Sequence, residues 1–113
     1  MPYFPSGQQL SRPDLIVRLE GDGNYTNIYR IYQPTPRLVS KTLLHFQRQL
    51  PGYWRVSKSA LINPVYLVKV VQDGKFYYAC MIDDTRVLIA RRRVAQTLKV
   101  LDLLREGKTA SLE

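Results

Sequence analysis

The chain predicts a mainly β domain with few short helices, one of them closing the C-terminal end, and three observations carry that prediction. Runs rich in β-branched and aromatic residues alternate with short Gly/Asp clusters, the pattern of strands joined by tight turns. A helical period appears in only two places, Thr42 to Leu50 and Arg92 to Arg105. The length of 113 residues suits one domain, which buries roughly two-thirds of its unfolded surface around a single core.

Residues 1–13, with Pro2, Pro5 and Pro13, have neither helical period nor sustained alternation and read as a flexible arm. The domain is expected over 14–106. Leu15 to Glu20 and Tyr25 to Tyr32 form strand-like runs on either side of Gly21-Asp22-Gly23, a turn between paired strands. Pro34-Thr35-Pro36 breaks the chain before a short strand at Arg37 to Val39, after which Ser40 or Lys41 opens a helix. That helix places Leu43, Phe46 and Leu50 on one stripe and stops at Pro51-Gly52; His45 falls off the stripe. Trp54 and Val56 suggest a brief strand, and Lys58 to Ile62 a helical turn ended by Asn63-Pro64.

Tyr66 to Gln72, Phe76 to Ile82 and Arg86 to Ile89 follow as strands, separated by Asp73-Gly74 and Asp83-Asp84, and predict an antiparallel meander. Cys80 alternates with Tyr78 and Ile82 and is expected on the core face. In the closing helix, Val94, Leu98, Leu101 and Leu104 make the apolar stripe, and residues 107–113 are expected to fray. No segment repeats at a fixed period, which excludes solenoids and tandem modules.

Composition excludes further classes. No apolar run approaches the roughly 20 residues needed to cross a bilayer, and the first residues lack the charged head and apolar middle of a signal peptide, so the expected location is cytoplasmic. One cysteine, Cys80, and one histidine, His45, supply neither an internal disulfide nor a zinc set, so no metal is expected. Catalysis is poorly supplied: Asp22, Asp73, Asp83 and Asp84 sit at turns, where carboxylates serve the backbone, and no nucleophile motif accompanies His45, Ser57 or Ser59. Gly21 and Gly23 precede a strand rather than a helix, so they form no phosphate loop. Neither a cofactor nor a small-molecule substrate is expected.

Charge is the positive signal. Seventeen Lys and Arg against nine Asp and Glu leave +8, and between Asp22 and Asp73 no acidic residue interrupts Arg30, Arg37, Lys41, Arg48, Arg55, Lys58 and Lys69. A surface of one sign suits a polyanion, with nucleic acid the leading partner; solubility alone is the bland reading. Arg91-Arg92-Arg93 falls at the predicted start of the closing helix, where the macrodipole disfavours cations by some tenths of a kcal/mol each. Phosphate oxygens or guanine edges would offset that cost, and so, in the bland reading, would Asp83, Asp84 or Asp102. Eight tyrosines leave open a single-strand or RNA-binding module that stacks bases, and the basic face leaves open an acidic protein partner.

Four segments, in order, carry a resemblance. They are IVRLEGDGNYTNIYR at Ile16 to Arg30, with Glu20 and the Asn24-Tyr25-Thr26 triplet; Val39-Ser40-Lys41-Thr42-Leu43; WRVSKSALINPVYLVKV at Trp54 to Val70, with Arg55, Val56, Ser59, Ile62 and Asn63; and the arginine run. Over about Leu15 to Leu101 the chain resembles the LytTR DNA-binding domain, the output module of many bacterial response regulators. The resemblance implies about ten short strands stacked as small antiparallel sheets, with loops entering successive major grooves of duplex DNA. It implies base reading by Tyr25, Thr26, Ser57, Lys58 and Arg92, and phosphate contacts from Ser40, Lys41, Thr42, Ser59, Arg91 and Arg93. It also implies a bacterial transcriptional regulator without cofactor or catalysis, with a second copy on repeated half-sites. Members commonly have histidine where this chain has Ser57 and serine where it has Ala90; the shorter hydroxyl in place of imidazole at Ser57 is expected to alter the target sequence. The 113 residues leave no room for a receiver domain, so the chain is expected to be either a free-standing regulator, the reading the Pro-rich arm favours, or a fragment of a longer one.

Overall fold

The computed structural model describes residue 10 and residues 12–112, with side chains as far as residue 105. The flexible arm expected over 1–13 therefore lies largely outside the described residues, although Leu10 is buried and Pro13–Leu15 forms a 3-10 turn. Two antiparallel sheets follow. The first contains β1 (Ile16–Asp22), β2 (Tyr25–Arg30), β3 (Arg37–Val39), β4 (Trp54–Ser57) and β5 (Ala60–Ile62), in the order β3-β2-β1-β5-β4. The second is the meander β6 (Leu67–Asp73), β7 (Phe76–Met81) and β8 (Arg86–Ile89). Helix α1 (Leu43–Gln49) lies between β3 and β4, and α2 (Val94–Leu112) follows β8.

The architecture is mainly β, as the sequence predicts, with eight strands among the described residues rather than about ten. Turn chemistry explains the hairpins: Gly23 and Gly74 sit at φ +61° and +63°, the left-handed region that glycine enters without a Cβ penalty. Thr42, rather than Ser40 or Lys41, caps α1, its hydroxyl oxygen accepting the His45 backbone N–H at 3.3 Å.

The five-stranded sheet is covered on both faces. One face packs Ile16, Leu19, Ile28 and Leu61 against Leu43 and Phe46 of α1. The other packs Val17, Val56 and Ile62 against Ala79, Met81, Val87 and Ile89 of the meander and Leu101 of α2. Burial from both sides is why β1 reads as a nearly continuous apolar run, Ile-Val-Arg-Leu, instead of alternating.

Three readings are corrected. Lys58 to Ile62 forms no helical turn; Lys58 and Ser59 make a tight turn and Ala60–Ile62 is a wholly buried strand, pairing with both β1 and β4. Cys80 is not on the core face: Ala79 and Met81 are buried, while Cys80 is half-buried and Ile82 exposed, so the alternation has the opposite phase. In α2 the fully buried position is Thr97, not Leu98, which is exposed. Thr97 resolves its polarity by accepting the Trp54 indole N–H at 2.8 Å and donating to the Arg93 carbonyl at 2.6 Å.

Candidate nucleic-acid interface

Antiparallel register decides where the loops emerge. Asp22 pairs with Tyr25, Thr26 with Val39, Glu20 with Ala60, and Ser57 with Ala60. The end of β1, the start of β2, the end of β3, the end of β4 and the start of β5 therefore share one end of the five-stranded sheet. The β1–β2 turn, the 40–42 segment and the Lys58-Ser59 turn all leave from that end. The arginine run joins them because the Ala90 N–H donates to the Val56 carbonyl at 2.8 Å, fastening the chain after β8 beside β4.

Each loop is held by specific bonds. The Gly21 N–H donates to the Ser59 carbonyl at 2.8 Å, tying the first hairpin to the β4–β5 turn. Within that turn the Ser57 hydroxyl oxygen accepts the Ser59 N–H at 3.2 Å, a local closure that leaves its O–H available to donate. Arg55 braces the turn from below: Nε donates to the Ser57 carbonyl at 2.7 Å, Nη2 to the Lys58 carbonyl and Nη1 to Gln47 of α1. Burial, and then the neighbouring Arg93, lower the Arg55 pKa below the ordinary guanidinium value. Repulsion between Arg55 and Arg93 is the signature of cations gathered in one region.

Arg91–Arg93 forms a 3-10 turn ahead of α2 rather than the helix's own first turn, and Ala90 at its cap contributes no side-chain bond. Arg91 and Arg92 are exposed, Arg93 half-buried. Among the described residues none of the three forms an ion pair, with Asp83, Asp84, Asp102 or any other acid.

The sequence-derived residues are thus brought together, though not all in a reading posture. Tyr25 is 48% exposed, Lys58 is exposed and Ser57 half-buried. Ser40, Thr42 and Ser59 are exposed and Lys41 half-buried. Thr26 is the exception: it is fully buried, and its hydroxyl donates to the Lys41 carbonyl at 2.8 Å. A side chain with no exposed surface does not meet a base edge, so Thr26 holds the 40–42 segment and is removed from the reading set. Two acids lie at this end among the described residues: Asp22, exposed at the hairpin turn, and Glu20, paired with Arg18.

The sequence reading missed two further groups. Arg55 sits inside the motif yet was assigned no task, and its brace is visible only once the turn closes over it. Arg18 is a charge within the buried run Ile16–Leu19, and a cation that interrupts such a run signals a buried ion pair. Among the described residues no group of three or more His, Cys, Asp or Glu is placed to hold a metal ion. No helix among them is long and apolar enough to cross a membrane.

A two-sheet β domain with basic loops gathered at one sheet end defines the class. The family model described as LytTr DNA-binding domain matches residues 9–102, and the chain belongs to the LytTR family. The family is defined by a DNA-binding domain, not by an enzymatic activity. A solved LytTr DNA-binding domain from Bacillus cereus superposes with a TM-score of 0.61 at 15% identity. The match covers 78% of this chain and 82% of that one, and it shows the shared fold. No curated protein matches the sequence.

Proposed function

We propose that this domain binds duplex DNA in a sequence-specific manner, as a bacterial, cytoplasmic transcriptional regulator that needs no cofactor. The observation that carries the reading is the convergence, at one end of the five-stranded sheet, of three sheet loops and an arginine turn that makes no ion pair among the described residues. Tyr25, Ser57, Lys58 and Arg92 are the base-reading groups, and Ser40, Lys41, Thr42, Ser59, Arg91 and Arg93 the phosphate-positioning groups. Phosphate contacts set register and base contacts carry sequence, so the two sets differ in what their loss does.

Dimensions support the reading. From β3 to β4 the sheet end spans four inter-strand spacings of about 4.8 Å, about 19 Å, more than the roughly 12 Å width of one major groove. Loops at its two ends therefore address different stretches of duplex, and Arg92 extends the row beyond β4. Two copies on direct or imperfectly palindromic half-sites, one or two helical turns apart, complete the proposal.

Selection from a random duplex pool supplies both the test and the site. Binding to the selected duplex is expected to weaken with a log–log salt slope of about −5 to −9, as roughly six to ten phosphate contacts require. Equal affinity for the single strand overturns the proposal.

A further inference from the structure

The contact points hang from two different sheets. Tyr25 and Lys58 leave the five-stranded sheet, whereas Arg92 follows β8 of the meander, so their separation depends on how the two sheets are fastened. β8 is tied to the first sheet at both ends. Beyond its C-terminal end is the Ala90 N–H bond to Val56, and before its N-terminal end is Arg18. Between the ties a cleft of about 460 Å³ separates Arg86, Val87 and Leu88 from Glu20 and Ser57 to Ala60.

The Arg18 tie is fully built. Its side chain is 8% exposed and its guanidinium lies 3.7 Å from the centre of the Tyr29 ring. Nε donates to Glu20 at 2.8 Å, and Nη1 donates to Asp83 at 3.2 Å and to the Thr85 hydroxyl at 3.1 Å. Asp83 in turn accepts the Thr85 backbone N–H and the Thr85 O–H, at 3.2 and 2.5 Å. The turn it grips passes through Asp84 at φ +68°, a left-handed conformation held without glycine. A shallow cation paired with one acid would be surface decoration; this one is buried, stacked and bonded across both sheets.

We infer that Arg18 is a positioning residue for DNA recognition: through Asp83 and Thr85 it fixes where Arg92 stands relative to Lys58 and Tyr25, and so the spacing of DNA contacts the domain accepts. The inference rests on the DNA-binding reading above. The test compares the selected duplex with one carrying a single base pair inserted between the stretches read by the Lys58 turn and by Arg92. For the native protein the insertion is expected to cost about tenfold or more in affinity, the loss of one well-placed base contact. For Arg18→Met, and for Asp83→Asn, which leaves the Arg18–Glu20 pair intact, that penalty is expected to fall below about threefold while affinity for random duplex stays within about twofold.

Thermal unfolding establishes that each variant is folded at the assay temperature, and Asp83→Asn carries the test if Arg18→Met does not fold. A folded variant that retains the full insertion penalty overturns the inference while leaving the DNA-binding reading intact. A native protein with no preference for its selected duplex overturns both.

Discussion

Thr26 and Arg92 both belong to the set that the LytTR resemblance marks for base reading, yet their surroundings separate their tasks. Thr26 is sealed in the sheet with its hydroxyl on the Lys41 carbonyl, whereas Arg92 is exposed and free of ion pairs among the described residues. Thr26→Val keeps the volume but removes the donor, and is expected to lower stability by about 1 kcal/mol, read from the urea midpoint at constant m. Arg92→Ala is expected to leave the midpoint unchanged and to relax preference at one base-pair position of the selected site. A base-specific effect of Thr26→Val at unchanged stability would return Thr26 to the reading set. Spacing alone did not distinguish them, because a motif position reports which residue type recurs, not which way its strand turns it.

At the scale of elements, the strands marked by turn or breaker residues were legible: β3, after Pro34-Thr35-Pro36, and β8, after Asp83-Asp84, are observed at the residues expected, and the other hairpin strands begin or end within a residue or two. What failed were the places where burial on two faces erases alternation or where register sets the phase. β5, Ala60–Ile62, is three buried residues long and looks equally like a helical turn until β1 and β4 pair with it. Thr97 fills a core position because Trp54, remote in sequence, supplies its partner. Packing between elements also explains Gly21. A Cβ there would lie 3.0 Å from the Cβ of Leu43, an atom fixed to the α1 backbone. Gly21→Ala is therefore expected to push the start of α1 aside, costing about 1 kcal/mol net of the entropy gained on losing glycine. Lys41 and Thr42 move with it, so affinity should fall for all duplexes alike, and a shift confined to one base position would contradict this account.

Across the whole molecule, Tyr53 joins the N-terminal 3-10 turn to the core. Its hydroxyl meets the Pro13 and Ile16 carbonyls at 2.5 and 3.2 Å and accepts from Asn63 at 3.1 Å. Burial pushes its pKa well above the ordinary phenol value, with the Asn63 bond opposing. A raised folded-state pKa in an acid means the native state holds its proton longer. The stability this confers is complete below the unfolded pKa of about 10 and is lost as pH rises from there toward the folded value. The urea midpoint should fall more steeply above pH 10 in the native protein than in Tyr53→Phe; equal slopes would contradict the assignment. Of the candidate site, the residue types and their order were readable in the chain, but their convergence was not, since it follows from five strands pairing in a non-sequential order. Because Tyr25, Lys58 and Arg92 are exposed on segments that project from strand ends, the DNA-binding proposal implies that a change of side chain at any of the three alters the sequence read without repacking the core.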